Sequence, residues 1–402
     1  MYFLLKIMKR FGNCEVLVVG GGPVGAVAAK TAAHFGAKVV LIEKRSTISE
    51  SRRCTGLISP RCLKEAEVDK GVVVREIRGG IIYAPSGRGI KIKARDTKAI
   101  VIDRPLFNRR LLEQAQEAGV EVLFSTEAIA LDGDSIKFKR NGHIYSANAK
   151  VIIGADGPKS KLAKWVNLPP PTKFLLGIQA IVPYEPEEAN FLKILFDHQI
   201  APSFFAWVVP AESGVARVGL ATDKKRKIFS YLKRLLEKIN CKALDFTVGL
   251  IPVGARKKTF ADRVIVVGDA AGQTKPASGG GLYTGIVCGK IAGEVAAQCA
   301  LAGETSEKAL AIYDEKWRRK IGKELSIGML VHRFLAGLSN RELNILFNLL
   351  DNQMLLDIVG NYGDIDYPSS VINIFFKQMK NQYILKDKSI ISYKIDYPFL
   401  KV

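Results

Sequence analysis

The sequence has few of the residues that build metal centres and disulfide frameworks. Its four histidines are scattered at positions 34, 143, 198 and 332, and its six cysteines include no Cys-x-x-Cys pair. A His/Cys metal centre is therefore not expected, and the cysteine usage is typical of a reducing, cytoplasmic compartment. No run of about 18 uninterrupted apolar residues occurs, so no membrane-spanning segment is predicted. The apolar part of the first ten residues is too short for a signal sequence.

Acidic residues are scarce relative to basic ones. Lysine and arginine number 60 against 39 aspartates and glutamates, which gives 402 residues a formal charge of +21. This balance favours an anionic partner such as a nucleic acid, a phospholipid surface or a phosphorylated ligand. Because the chain has neither a nucleic-acid-binding motif nor a basic tract interleaved with stacking aromatics, no nucleic-acid partner is expected. A solvated lysine-rich surface explains the charge equally well.

Residues 15–43 carry a complete dinucleotide-binding pattern. The apolar run Val16–Val19 predicts a buried parallel strand, and glycines follow at positions 20, 22 and 25. An alanine-rich helical stretch over 26–35, a second apolar run and Glu43 complete the βαβ unit. A glycine-rich turn alone would be weak evidence, but the full unit predicts a dinucleotide site.

Each residue of this pattern has a physical task. Gly20 permits the tight turn, Gly22 lets the backbone approach a pyrophosphate, and Gly25 lets helix and strand pack closely. The helix begins near Pro23, and its free N–H groups attract the phosphates. Glu43 accepts hydrogen bonds from a ribose diol.

Two further apolar strands end in glycine and an acid, and these favour FAD over NAD. The stretch 151–157 ends in Asp156-Gly157, and the stretch 263–272 contains Gly268-Asp269. Ligands bind at the carboxyl ends of strands in open α/β sheets, and an acid there can hold the hydroxyls of a ribityl chain, which NAD lacks. The Gly279–Gly281 turn then opens a helix predicted to run from Leu282 to Ala297, and its amides can meet a flavin.

These three signatures, in this order, resemble the FAD-containing family that includes aromatic hydroxylases and geranylgeranyl reductases, over residues 14 to 320. The resemblance implies bound FAD, with its adenine–ribose end on Glu43 and its flavin end by Asp269. The cofactor-binding residues that it implies are Gly20, Gly22, Pro23, Gly25, Glu43, Lys44, Arg53, Cys54, Thr55, Gly56, Arg104, Ala128, Asp156, Asp269, Gly281 and Leu282. Arg110 is a weaker candidate than Arg104.

The stretch Arg53-Cys54-Thr55-Gly56 narrows the resemblance to the geranylgeranyl reductases within this family. It is similar to the Arg-Cys motif of geranylgeranyl reductases and falls where that family's chain passes the flavin, which implies a catalytic role for Cys54. Arg52 and Arg53 precede this thiol and favour a functional role for it. The alternative is an ordinary small buried thiol.

An aromatic strand is predicted over residues 202–210. Alternation places Phe205, Trp207 and Val209 on one face, either lining an apolar tunnel or packing against a neighbouring sheet. The stretch is similar to the Pro-x-x-Tyr-x-Trp-x-Phe-Pro motif of geranylgeranyl reductases, which implies that these three residues bind an isoprenoid. Phe205 replaces the motif's tyrosine, which excludes a proton-donor role there, and Val209 replaces its phenylalanine.

The expected fold is α/β: a Rossmann-like FAD-binding domain, an antiparallel β-sheet substrate domain and a helical C-terminal region. The FAD domain is predicted to be discontinuous, formed by residues 1–70, 98–170 and 253–303. The substrate domain comprises residues 71–97 and 171–252, and apolar residues at i, i+3 and i+4 spacing predict helices within 304–402.

The resemblance implies an FAD-dependent reductase that saturates geranylgeranyl double bonds, on a prenyl diphosphate or a membrane ether phospholipid. The alternatives are a flavin monooxygenase of a hydrophobic substrate and a non-catalytic prenyl-lipid- or nucleic-acid-binding module. No second Gly-x-Gly-x-x-Gly is present, so NAD(P)H, ferredoxin or another electron-donor protein would visit transiently. Peripheral association with the inner face of the cell membrane would suit a lipid substrate. Lys275 stands where relatives have Asp or Asn, and either faces the flavin or points to solvent.

Overall fold

The computed structural model describes residues 9–10, 12–48, 54–133, 135–371 and 374. Arg53, predicted to bind the cofactor, lies outside the described residues, as do the basic tail after residue 374 and most of the opening ten residues.

The strands fall into a nine-stranded, a seven-stranded and a three-stranded sheet within the described ranges. They are β1 (Lys9–Arg10), β2 (Cys14–Val19), β3 (Val39–Ile42), β4 (Leu57–Ile58), β5 (Val73–Ile77), β6 (Gly79–Tyr83), β7 (Gly89–Lys93), β8 (Ala99–Ile102), β9 (Glu121–Leu123), β10 (Thr126–Asp132), β11 (Ser135–Arg140), β12 (His143–Gly154), β13 (Lys173–Pro183), β14 (Phe191–Leu195), β15 (Ala206–Pro210), β16 (Val215–Thr222), β17 (Asp245–Val253), β18 (Phe260–Ala261) and β19 (Val264–Val266).

Helices cover the nine-stranded sheet, pack on the seven-stranded sheet and form the C-terminal region. They are α1 (Pro23–His34), α2 (Pro60–Glu65), α3 (Arg104–Glu117), α4 (Lys161–Trp165), α5 (Ile228–Lys238), α6 (Leu282–Ala302), α7 (Glu307–Trp317), α8 (Lys323–Gly337), α9 (Asn340–Leu350) and α10 (Gln353–Tyr362).

The nine-stranded sheet has the parallel core that the glycine pattern predicts. β2 lies between β12 and β3, and both pairings are parallel. β19 joins β12 on its other side, also in parallel. Three of these strands are followed by an acid of the predicted site: β3 by Glu43, β12 by Asp156 and β19 by Asp269. Because the three strands run in the same direction, their carboxyl ends come together at one edge, where ligands bind in such sheets.

Helices α1 and α6 lie on this sheet and pack closely against each other. A Cβ on Gly289 would lie 2.9 Å from the Val24 carbonyl oxygen, and one on Gly293 would collide with the carbonyl of Ala28. α6 runs five residues beyond its predicted end and stops at Gly303, which takes the left-handed conformation of a C-terminal cap. In the described part of the chain, α6 alone is long and apolar enough to cross a membrane, but it is largely buried inside the protein.

The seven-stranded sheet has the order β17-β13-β16-β15-β14-β6-β7. Its ladders are antiparallel except for β14 on β6, which pair in parallel, so the prediction of an antiparallel sheet was wrong for this pair. β5, which the sequence assigned to the substrate domain, instead pairs with β8 in the three-stranded sheet. Helix α5 covers one face of the seven-stranded sheet. On the opposite face, Ile251 lies 3.5 Å from where a Cβ on Gly279 would be.

The C-terminal segments predicted as helices are helical. α7 continues through a π-helical turn at Arg318–Gly322 into α8, and a Ser339–Glu342 capping box starts α9. α8 and α9 contact the loop before β15, where the His198 ring meets the Leu338 carbonyl oxygen at 2.7 Å. The C-terminal region therefore packs against the end of the aromatic strand.

Candidate active site

The first glycine turn follows β2 and opens α1. Gly20 has φ +110°, and a Cβ there would collide with the Ala155 carbonyl oxygen. A Cβ on Gly22 would meet no atom within 4 Å, so the space in front of the turn is open. α1 starts with Pro23 at its first turn and has no side-chain cap, which leaves its amides free to receive phosphate oxygens.

Glu43 is fixed at the end of β3 beside this turn. Its carboxylate accepts hydrogen bonds from the Gly21 amide at 2.8 Å and the Arg45 amide at 3.0 Å. The Glu43 carbonyl oxygen also accepts from the Thr126 amide, which places the buried Ala128, two residues further along β10, on this side of the sheet. Lys44 is exposed next to Glu43.

Two buried polar groups at the carboxyl edge have unused hydrogen-bonding capacity. Arg104, the first residue of α3, is 7% exposed, and its Nε and Nη1 have no hydrogen-bond partner among the described residues. Asp156 accepts from the Lys161 amide at 2.7 Å through Oδ2, but its buried Oδ1 meets no donor in the part of the chain that the structure describes. Buried polar atoms are nearly always satisfied in folded proteins, so these atoms mark the place of a polar ligand.

Asp269 lies in the 3₁₀ turn that follows β19. Burial raises the pKa of its carboxyl to about 6, an effect that the nearby Arg104 guanidinium partly offsets. A Cβ on Gly281 would lie 3.0 Å from Asp269 Oδ1, so only glycine leaves room beside this carboxyl. α6 begins at Leu282 without a side-chain cap, and its first amides are therefore free next to Asp269.

The loop that carries Cys54 is held by residues of the seven-stranded sheet. The Gly56 amide donates to Cys54 Sγ at 3.3 Å, and Gly56 has φ +69°. Arg217 on β16 donates from Nη1 to the carbonyl oxygens of Thr55 at 2.8 Å and Ile102 at 3.0 Å. A Cβ on Gly56 would lie 2.6 Å from that same Nη1, so the loop requires glycine here.

Gln179 joins the Cys54 loop to the aromatic strand. Its Oε1 accepts from Thr55 Oγ1 at 2.6 Å and from Trp207 Nε1 at 3.3 Å. Phe205 stacks on Phe204 with ring centroids 4.2 Å apart and meets Trp207 at 6.2 Å. The structure thus brings the predicted catalytic loop and two of the three predicted aromatic-strand residues to one site.

Val209, the third residue predicted to bind substrate, lies elsewhere. It is 1% exposed and packs in a core with Ile77, Ala99 and Val101. Alternation correctly puts it on the face of Trp207, but the three-stranded sheet covers that end of the face. We therefore leave Val209 out of the proposed substrate site.

Lys275 does not point to solvent, since its side chain is only 14% exposed. The alternative, that it faces the flavin, stays a prediction. The Lys275 Nζ lies 2.7 Å from Asp366 Oδ1 and 2.7 Å from the Ile365 carbonyl oxygen. Ser59 Oγ donates to the other oxygen of Asp366. The lysine is thus paired inside the protein by the segment after α10, and no local sequence signal places that segment here.

The sequence analysis missed the residues that hold the loops together: Gln179, Arg217, Ser59, Asp366 and the hydrogen-bonded pair of Tyr283 and Tyr367. A polar side chain amid the apolar residues of β13 is a signal that points to Gln179. Asp366 has no such local signal, because its partners lie 91 and 307 positions away.

These features together fit FAD. The open glycine turn suits a pyrophosphate, and Glu43 suits a ribose. The half-buried Asp269 and the buried Arg104 suit the polar end of a flavin-bearing chain. The protein therefore has the fold and the site of an FAD-dependent flavoprotein. Consistently, residues 13–174 match the family model described as an FAD binding domain, and the prediction of FAD as the cofactor is confirmed.

Comparison with known proteins narrows the class further. Digeranylgeranylglycerophospholipid reductase of Methanothrix thermoacetophila is 33% identical over 366 residues, covering 85% of this chain and 92% of that protein. The protein of the same name from Methanocaldococcus jannaschii is 34% identical, covering 85% and 91%. The chain belongs to the digeranylgeranylglycerophospholipid reductase family.

Solved structures agree with this assignment. The crystal structure of a geranylgeranyl bacteriochlorophyll reductase-like protein from Thermoplasma acidophilum is similar with a TM-score of 0.80 and 25% identity, covering 93% of this chain and 97% of that one. p-Nitrophenol 4-monooxygenase from Pseudomonas putida, at 20% identity and a TM-score of 0.68, covers 92% of this chain and 98% of its own and shares the fold. The predicted family and fold class are confirmed.

Proposed function

We propose that this protein is an FAD-dependent reductase that saturates the geranylgeranyl chains of an ether-type membrane phospholipid. The observation that carries the proposal is the bridge through Gln179, which joins the Cys54 loop to Trp207. An apolar aromatic wall is thereby fixed beside the loop that the family resemblance places next to the flavin. The names of the relatives supply the class of substrate.

Glycines on the sheet face beside Trp207 leave room for a hydrocarbon chain. Trp207 lies over Gly219, where a Cβ would come within 2.6 Å of the indole. In the next row Gly177 pairs with Gly249, and a Cβ on Gly249 would meet no atom within 4 Å. Gly177 and Gly249 thus form the floor of a shallow trough, and Phe205 and Trp207 form its wall.

Saturating an isolated double bond requires a hydride on one carbon and a proton on the other. Reduced FAD, when bound, supplies the hydride. An unactivated alkene is a poor hydride acceptor, so the protein must hold the alkene in a fixed position with water excluded. Phe205 and Trp207 orient the alkene, and we assign Cys54 Sγ, held by the Gly56 amide, to the reacting end of the trough.

The electron donor reduces FAD from outside. We propose NAD(P)H or a ferredoxin as a transient donor, since the sequence has no second dinucleotide fingerprint. We place the protein in the cytoplasm, at the inner face of the cell membrane, where a phospholipid substrate resides.

Anaerobic turnover tests the proposed function. Protein reduced chemically without oxygen should convert unsaturated ether lipid into products heavier by one hydrogen molecule for each bond, as read by lipid mass spectrometry. A product that needs oxygen and gains an oxygen atom would instead identify a monooxygenase and overturn the proposal.

Substitution of Cys54 tests its assignment. Cys54→Ala should keep bound FAD, seen in the visible spectrum, and lose most alkene reduction. Cys241→Ser is the control, since this half-buried thiol contacts the Pro183 carbonyl oxygen on the far side of the sheet. Full activity of Cys54→Ala would remove Cys54 from the reaction.

A further inference from the structure

Three large apolar side chains are exposed together at one end of the seven-stranded sheet. Phe229 on α5 is 56% exposed, Leu244 is 66% exposed and Phe246 on β17 is 51% exposed. The rings of Phe229 and Phe246 meet edge to face with centroids 5.4 Å apart. We call these three residues the apolar patch. Exposed clusters of this kind mark sites of protein or membrane interaction.

Cations surround the apolar patch. Residues 223–246 contain eight basic and three acidic residues. Lys225, Arg226 and Lys227 are exposed in the turn that leads into α5, and none of the described residues forms an ion pair with them. Lys233 lies one helical turn after Phe229 and is paired only loosely with Glu237, at 3.8 Å. The cations before α5 are thus available to an external anion.

We propose that the apolar patch and the cations around it form a docking surface for an anionic lipid bilayer. Aromatic and aliphatic side chains rimmed by lysine and arginine insert at the boundary of head groups and acyl chains, and the cations attract anionic lipid. The proposal rests on the proposed function in one respect, because a phospholipid substrate explains why the enzyme would meet a bilayer.

The position of β17 connects this surface to the trough. The strand begins next to the apolar patch and reaches Ile251, whose side chain lies 3.5 Å from the position of a Cβ on Gly279. Phe246 and Ile251 are five residues apart, or about 17 Å along an extended strand. Successive side chains of a strand point to opposite faces, so Phe246 lies on the α5 face and Ile251 on the other. β17 is the edge strand of the sheet, and a geranylgeranyl chain from a docked bilayer would pass around this edge to reach Gly279.

A second set of exposed apolar residues lies on α8–α10 and includes Phe334 and Leu349. Residues 323–362 contain three lysines and arginines against four acids, so this face has no excess of positive charge. Charge complementarity therefore selects the apolar patch as the surface for anionic lipid, and the second face provides a control.

Vesicle sedimentation of the full FAD-loaded chain tests the proposal. The protein should bind vesicles of phosphatidylglycerol and phosphatidylcholine, bind pure phosphatidylcholine much more weakly, and dissociate as salt is raised. Phe229→Ser and Phe246→Ser should each weaken binding about tenfold, since about half a phenylalanine side chain leaves water on docking. Neutralising Lys225, Arg226 and Lys227 to Gln should weaken it by about fivefold for each charge.

Leu244→Ser and Leu349→Ser form a matched pair, because the two leucines are 66% and 71% exposed. Leu244→Ser should weaken vesicle binding, and Leu349→Ser should leave it unchanged. Equal effects of the two, or equal binding of neutral and anionic vesicles, would overturn the proposal. So would a change of oligomeric state in lipid-free gel filtration of the patch variants, because the patch would then be a protein interface.

Activity separates this proposal from the proposed function. Patch variants should reduce a detergent-dispersed prenyl lipid at the wild-type rate and lose activity only on lipid embedded in vesicles. A wild-type protein that binds anionic vesicles through the patch but reduces no prenyl chain would refute the proposed function and leave the docking surface standing.

Discussion

Replacing Lys275 by methionine removes one member of its buried ion pair with Asp366. This pair joins the loop before the Gly279–Gly281 turn to the C-terminal region. The Lys275 side chain is 14% exposed and that of Asp366 is 1% exposed. After the change, Asp366 keeps its bond from Ser59 Oγ. The remaining nearby cation among the described residues is Arg61, whose guanidinium is paired with Asp364. Methionine retains most of the apolar stem, which packs 3.1 Å from where a Cβ on Gly280 would be, so the change is mainly electrostatic.

Removing one partner of a buried pair typically costs about 3–5 kcal/mol, because the remaining charge is left uncompensated in a poorly solvated site. Lys275→Met should lower the free energy of unfolding by an amount in this range. Adding Asp366→Asn should recover much of the loss, because no unpaired charge then remains. The control is Lys137→Met: Lys137 lies 2.6 Å from Asp132, but the side chains are 30% and 66% exposed, and the expected cost is about 0–1 kcal/mol.

Urea unfolding of the apoprotein measures these differences, with circular dichroism and tryptophan fluorescence compared to check that one transition is followed. The reasoning fails if Lys275→Met costs no more than Lys137→Met. It also fails if the loss in the double variant equals the sum of the two single losses, since the residues would then act independently.

Three further predictions concern the cofactor end of the site. Burial raises the pKa of Asp269 to about 6 in the folded apoprotein, so folding favours the neutral carboxyl. The free energy of unfolding should therefore fall as pH rises from about 4 to 6. Asp269→Asn should abolish that fall, as measured by unfolding at a series of pH values. Arg104→Met should weaken FAD binding at least tenfold in flavin-fluorescence titration, since it removes charge-assisted hydrogen bonds worth about 1.5–3 kcal/mol each; Arg110→Met, on the exposed face of the same helix, should not, and equal losses would contradict the assignment. Gly56→Ala should displace the Cys54 loop from Arg217 and lower kcat with FAD retained; unchanged kinetics would show that the loop tolerates a Cβ.

Much of the cofactor site could be predicted because its signals are local. The turn at Gly20–Gly25, the acid Glu43 and the strand-ending Asp156 and Asp269 are each set by a few neighbouring residues, and parallel strands bring their carboxyl ends together. The helix start at Leu282 follows from its preceding glycines in the same way. Val209 shows the limit of such signals: alternation fixed its face of the strand but not the sheet that covers it.

The sequence alone determined the nucleotide-binding unit, the preference for FAD and the helical C-terminal region, because each depends on contiguous spacing and periodicity. The reductase family followed instead from the resemblance of two short motifs to those of known proteins. Tertiary structure alone decided that Lys275 is paired with Asp366, that Gln179 joins Thr55 to Trp207, and that Phe229 and Phe246 share an exposed patch. These contacts join residues 17 to 124 positions apart. Only the packing of sheets and helices brings such residues within the few ångströms over which hydrogen bonds, ion pairs and ring contacts act.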